Sequence, residues 1–310
     1  MKKVFVDGSA GTTGLRIFER LGKRDDIELI TISDELRKDI DARRVAIEGA
    51  DAAFLCLPDD AAKEIVAEVK SDKVKILDTS TAHRTDSSWA YGFPELSGEF
   101  REKIKTYNRI AVPGCHASGF IAVVYPLVSA KVLPADYPLV SYSVTGYSGG
   151  GKKMIAEYQD KERDSELSSP RQYGLTQNHK HLKEMKAICG LSDNPIFSPI
   201  VADYYSGMVV SVPLYAKLLG KKMTDMDIHK ILEEHYAGSK VVKVMPFGKE
   251  GFLGSNNLSG KDTLEIEVTG NDERILVAAR FDNLGKGSSG AAIQCMNLAL
   301  GCEETSGLDL

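Results

Sequence analysis

A short apolar run at residues 3–6 leads straight into Asp7-Gly-Ser-Ala-Gly-Thr-Thr-Gly14, and an amphipathic stretch follows over residues 14–21. A strand, a turn with three evenly spaced glycines and a helix leave such a chain few folds. Glycine permits the tight turn and lets backbone N–H groups approach a pyrophosphate at the helix N-terminus. The alternation continues: residues 27–32, 51–57 and 74–78 read as strands, and residues 61–69 as a helix. Strands that alternate with helices need crossover connections, which predicts a Rossmann-type parallel sheet with helices on both faces. Gly8, Ser9, Gly11, Thr12, Thr13 and Gly14 are the candidate dinucleotide-binding residues. Which dinucleotide binds is usually decided at the end of the second strand, here Thr31-Ile-Ser-Asp-Glu-Leu-Arg37. Ser33 and Arg37 suit a ribose 2′-phosphate while Asp34 points the other way, and the reading leans to NADP.

From residue 141 the pattern changes. Val-Ser-Tyr-Ser-Val-Thr-Gly146 alternates like an antiparallel strand, and residues 209–214, 241–245, 263–268 and 274–282 are further strand candidates. Helical stretches intervene at residues 182–188 and 225–235, and a last one covers residues 291–300. Longer strands with fewer crossovers predict an α+β domain with a mixed or antiparallel sheet. The expected division is a nucleotide-binding domain of residues 1–115 with 286–310. Residues 116–285 form the expected catalytic, substrate and oligomerisation domain.

Composition narrows the partners. A net charge of -5 gives no electrostatic reason to expect nucleic acid or an anionic membrane. No run has the length of a transmembrane helix, and the first residues do not form a signal peptide. Five scattered cysteines with no Cys-x-x-Cys spacing argue against a disulfide framework and a structural zinc site. A reducing, cytoplasmic compartment is expected, with no metal.

Chemistry concentrates at Arg109-Ile-Ala-Val-Pro-Gly-Cys115-His-Ala-Ser118. A buried strand, a Pro-Gly break and an apolar helix from Ala117 onward place the Cys115 thiol at a helix N-terminus. Unpaired N–H groups and the helix dipole there favour thiolate, and the same groups can hold an oxyanion. In Asn178-His-Lys-His-Leu-Lys-Glu184, His181 and Glu184 share a helix face. Glu184 would orient the imidazole while His181 exchanges a proton. Thr145-Gly-Tyr-Ser-Gly-Gly-Gly-Lys-Lys153 suits close approach to an anion, with Lys152 in reach, although a flexible loop tip fits as well. Arg84, in Asp78-Thr-Ser-Thr-Ala-His-Arg84, follows a predicted strand at the sheet's carboxyl edge. It can clamp an oxyanion, or form an ordinary surface ion pair.

Together these segments, with Tyr91-Gly-Phe-Pro-Glu95 and Asp282-Asn-Leu-Gly-Lys-Gly287, resemble the N-acetyl-gamma-glutamyl-phosphate reductases, in their shorter form. The resemblance runs nearly end to end and is most specific around Cys115 and residues 282–287. It implies Cys115 as nucleophile, His181 as acid and base with Glu184 in support, Asn283 at the cofactor, and Arg84, Ser118 and Lys152 at the phosphate. There are departures. The longer form has an aromatic residue at the place of His116 and usually a proline at that of Lys183. The family's Ser-Ala-Asp-Phe-Arg stands here as Ser-Thr-Ala-His-Arg84.

The activity implied is reductive dephosphorylation of an acyl phosphate, N-acetyl-L-glutamyl 5-phosphate, in arginine biosynthesis. Cys115 would form a thioester, phosphate would leave, and hydride from NADPH would yield the aldehyde. A small-molecule substrate and a homo-oligomer, dimer or tetramer, are expected. An aspartate-semialdehyde dehydrogenase or a lysine-pathway acyl-phosphate reductase would share Cys115 and the cofactor. A non-catalytic NADP-binding regulator would keep only the fold.

Overall fold

A computed structural model describes residues 1–248 and 250–310, which fold as two units. Residues 1–114 with 288–308 form the first, and residues 115–287 with 309–310 the second. The expected division had placed Cys115 with the nucleotide-binding half, whereas Cys115 opens the second unit.

The first unit begins β1 (Lys2–Asp7), α1 (Thr12–Leu21), β2 (Ile27–Ile30), α2 (Ile40–Glu48), β3 (Ala52–Leu55), α3 (Asp59–Glu68) and β4 (Lys75–Asp78). It continues β5 (Ala90–Tyr91), α4 (Gly98–Thr106) and β6 (Arg109–Ala111). The second unit holds α5 (Cys115–Ser129), β7 (Val140–Gly146), α6 (Gly151–Gln159), β8 (Arg171–Gln172) and α7 (Leu182–Cys189). There follow β9 (Ile196–Ala202), β10 (Met208–Tyr215), α8 (Asp225–His235), β11 (Val242–Val244), β12 (Leu264–Gly270) and β13 (Arg274–Phe281). α9 (Gly290–Leu300) returns to the first unit. No described helix is long and apolar enough to cross a membrane.

In the first unit all strands are parallel, in the order β2-β1-β3-β4-β6-β5. Alternate residues of each strand face opposite layers. Val4, Val6, Ala52 and Phe54 pack with residues of α1, α4 and α9, while Phe5, Ala53 and Leu55 pack with residues of α2 and α3. α2 and α4 lie outside the sequence expectation. α2 mixes apolar and charged residues, α4 is mostly polar, and each starts at a side-chain cap: Asp39 accepts from Ala42 N–H, and Ser97 from Phe100 N–H.

The second unit has a seven-stranded sheet in the order β11-β12-β13-β10-β7-β9-β8. β7 pairs antiparallel with β10 but parallel with β9, and β11 is parallel to β12, so the sheet is mixed. α5 and α8 pack on one face, and α7 packs against α5. α5 carries Pro126 in its interior, which removes the N–H that Ala122 C=O would receive. The Tyr236 hydroxyl, at the end of α8, donates to that carbonyl at 2.6 Å. The glycine-rich run is a 3-10 turn that continues into α6, and not the alternative of a flexible loop tip. Tyr147 stacks on Tyr158 across it, centroids 4.6 Å apart.

Candidate active site

Cys115 is the first residue of α5, right after Val112-Pro113-Gly114, and its thiol is half-buried. Gly287 backs it. A Cβ built on Gly287 would stand 3.0 Å from the Cys115 Cβ, so only glycine lets the backbone pass this close. His181 caps the start of α7 and is buried, as is Glu184 one turn later. Because α7 lies against α5, the His181 ring comes 5.6 Å from the ring of His116, the residue after the thiol.

Two further imidazoles complete a cluster that sequence reasoning left out of the site. The His116 ring is 5.6 Å from that of His179, which is 4.7 Å from that of His181. The His181 backbone N–H donates to His179 Nδ1 at 3.2 Å. Burial, with His179 and Lys180 nearby, pushes the His116 imidazole down to about 3. Burial and the Lys180 charge push His179 to about 4. Tyr173 and Ser143 join this cluster through hydrogen bonds to His116 of 2.6 Å each. Burial, and then the charge on the Cys115 sulfur, raise the Tyr173 phenol. His116 and His179 were visible as neighbours of named residues, but nothing in Arg-Gln-Tyr173-Gly marks the tyrosine.

The turn 146–151 is fixed from below. Asn283 Oδ1 accepts from Gly207 N–H at 2.9 Å and its Nδ2 donates to Ser148 Oγ at 3.0 Å. The side chain expected at the cofactor is thus engaged at both amide atoms inside the second unit. Its neighbour Asp282 accepts from Leu284 N–H at 2.8 Å and Gly260 N–H at 2.5 Å. Lys152 stands exposed in the first turn of α6, and Ser118 is buried one turn after Cys115.

Arg84 is the residue expected to clamp an oxyanion or form a surface ion pair. It is buried in the first unit, where Nε donates to Val112 C=O at 2.8 Å and a terminal nitrogen to Thr79 C=O at 2.9 Å. The guanidinium holds the ends of β4 and β6 together. Its neighbour His83 is bonded to Asp78 at 2.7 Å and stacked on Trp89, which accounts for the imidazole in that motif.

The glycine turn leaves no room for a side chain at its first glycine. Gly8 has φ +81°, and a Cβ there would run into the Cys56 carbonyl oxygen; Gly11 N–H bonds Gly8 C=O at 2.9 Å. Beside it opens a cavity of about 660 Å³ lined by Gly8, Ser9, Thr31, Asp34, Arg37 and Lys38, large enough for an adenosine moiety. Ser33 lies outside that lining and bonds exposed Glu35 instead. Asp34 and Arg37 approach to 3.7 Å. Asp7, at the end of β1, is buried with Arg43 of α2 at 2.8 Å. Burial raises the Asp7 carboxyl against the opposing pull of Arg43.

Comparison with known proteins agrees with this division. The profile described as "Semialdehyde dehydrogenase, NAD binding domain" matches residues 3–107, and "Semialdehyde dehydrogenase, dimerisation domain" matches residues 115–283. The N-acetyl-gamma-glutamyl-phosphate reductase 2 of a Nostoc species is 44% identical over 99% of both chains. The N-acetyl-gamma-glutamyl-phosphate reductase of Brucella ovis is 44% identical over 96% of this chain and 99% of its own. Aspartate semialdehyde dehydrogenase II of Vibrio cholerae shares the fold at TM-score 0.75, with 16% identity over 97% of this chain and 99% of the other.

Proposed function

This chain belongs to the N-acetyl-gamma-glutamyl-phosphate reductase family of semialdehyde dehydrogenases, and on that premise we propose that it reduces N-acetyl-L-glutamyl 5-phosphate to the 5-semialdehyde. The observation that carries the reading is a thiol on the first residue of a 15-residue helix, with an imidazole cluster packed behind it.

Cys115 attacks the acyl carbon, and the N–H groups at the start of α5 hold the oxyanion. Lys152 and Ser118 stabilise the departing phosphate. Arg84 acts at one remove, by fixing the strand ends ahead of Cys115. His181 carries the proton to the developing alkoxide and takes it back as the C–S bond breaks, which releases the aldehyde and returns the Cys115 thiolate, and Glu184 supports the ring. Gly8, Ser9, Gly11, Thr12, Thr13 and Gly14 would hold a nicotinamide dinucleotide, which would supply the hydride when bound. We favour NADP because Arg37 and Lys38 line the cavity and Arg37 offsets Asp34.

A homo-oligomer fits the second sheet. By strand register, Tyr142, Ile196 and Tyr215 share the face opposite α5, and they are 38%, 58% and 55% exposed. Exposed apolar groups on one sheet face call for a partner. Five cysteines, all thiols, fit a reducing cytoplasm.

The test is phosphate-dependent NADP reduction with N-acetylglutamate 5-semialdehyde, aspartate semialdehyde and the aminoadipate analogue. The first is expected to turn over fastest, and a preference for either of the others overturns the substrate. Cys115→Ser is expected to lose at least about a thousandfold in turnover while dinucleotide affinity stays within about twofold. Substantial turnover in that variant rejects the nucleophile.

A further inference from the structure

Arg43, on α2, has no part in the chemistry above, yet it is a cation only 7% exposed that lines the cavity beside the glycine turn. Its guanidinium is a planar fork of N–H donors. Nε donates to Asp7 Oδ2 at 2.9 Å. Nη2 stands 2.8 Å from that same oxygen, but at a geometry that makes no hydrogen bond, and it is buried with no other acceptor among the described residues. A buried donor left in this way costs free energy unless something else brings the acceptor. Arg43 lines the cavity, so a ligand held there can bring it.

The cavity says what kind of ligand group that is. Ile30 and Ile32, at and beyond the end of β2, form one apolar wall, and Leu57, Pro58 and Ala61, where β3 passes into α3, form another. A flat ring with acceptor nitrogens suits such walls, whereas a phosphate would lose its water to them. Asp7 offsets the Arg43 charge, so the pair holds little net attraction for an anion. Lys38, exposed on the same cavity, is under no such constraint.

We propose that Arg43 binds the adenine ring of the dinucleotide: Nη2, left over from the ion pair with Asp7, donates to a ring nitrogen. The residue thereby adds affinity for NAD and NADP equally, and the choice between them is left to Arg37 and Lys38. The inference rests on the cavity being the dinucleotide site.

The experiment is calorimetric titration of the whole chain with adenosine monophosphate, NAD and NADP. Arg43→Lys keeps a cation for Asp7 but loses the planar fork. It is expected to weaken all three ligands about tenfold, with the ratio of NADP to NAD affinity within about twofold of the wild type. The 1-, 3- and 7-deaza analogues of the monophosphate each remove one ring acceptor. One of them is expected to lose about tenfold on the wild type and to bind the variant as well as the parent nucleotide does. Unchanged affinities in the variant, a loss confined to NADP, or analogue losses that are the same on both proteins overturn the inference and leave the dinucleotide site standing. A wild type that binds none of the three ligands overturns the site itself, and the inference with it. If Arg43→Lys does not fold, Arg43→Met with Asp7→Asn, which removes both charges of the pair, decides. An equal loss for all three ligands supports the inference, and unchanged affinities reject it.

Discussion

At the scale of single residues, the cluster beside Cys115 makes folding itself sensitive to pH. The unfolded chain takes a proton on His116 near pH 6.5, while the folded chain refuses it until about pH 3. His179 behaves alike, down to about 4. The unfolded state therefore binds more protons across this window, and stability is lost as pH falls below about 6.5 and stays flat above it. From His116 alone the loss is about 2 kcal/mol at pH 5. Urea midpoints at pH 7.5 and 5.0 are expected to fall in the wild type and to fall less in His116→Gln. An equal fall in both rejects the attribution. The other site residues divide along the same physical line. Cys115 was legible because a Pro-Gly break before an apolar helix is a local signal. Tyr173 was not, since its role depends on a partner 57 positions away. Arg84 and Asn283 carried motif signals that do not name their hydrogen-bond partners.

At the scale of elements, α5 shows how a helix can contain a proline and stay intact. Pro126 leaves Ala122 C=O without its helical donor, and the Tyr236 hydroxyl replaces it. Tyr236→Phe is expected to cost about 1–3 kcal/mol in urea unfolding. In a Pro126→Ala background, where an N–H returns to the helix, the cost should shrink to a fraction of that. Undiminished cost in the double variant means that Tyr236 acts by packing alone. Strand and helix types were readable wherever apolar periodicity was strong, as in β1, β3, α8 and α9. α2, α4 and α6 were not, because they are short, their apolar pattern is broken by charged or glycine residues, and they are held by caps and by aromatic stacking.

At the scale of the whole molecule, the sheet face opposite α5 sets the expectation of assembly. A stable partner needs about 800 Å² on each side, more than three side chains supply. The same face adds Val140, Val144, Ile200, Pro213 and Leu276, all at least partly accessible, which extends the apolar surface. Tyr142→Asp with Ile196→Asp is expected to convert the oligomer to monomer in sedimentation velocity, with far-UV circular dichroism unchanged. A monomeric wild type, or an undisturbed mass in the variant, rejects this face as the interface.

The first unit is also discontinuous: Ala291, Ala292, Ile293, Cys295 and Met296 of α9 fill one core layer against Val4, Val6 and Phe54. The ribosome works from one end, so residues 1–114 emerge first yet lack one wall of that layer until residues 290–300 follow. The segment 115–287 lies between and can settle into its own core earlier. Maturation would thus run out of chain order, with the glycine-turn half last to close. Its uncovered apolar layer is where a chaperone would bind a nascent chain and where a stalled translation product would aggregate.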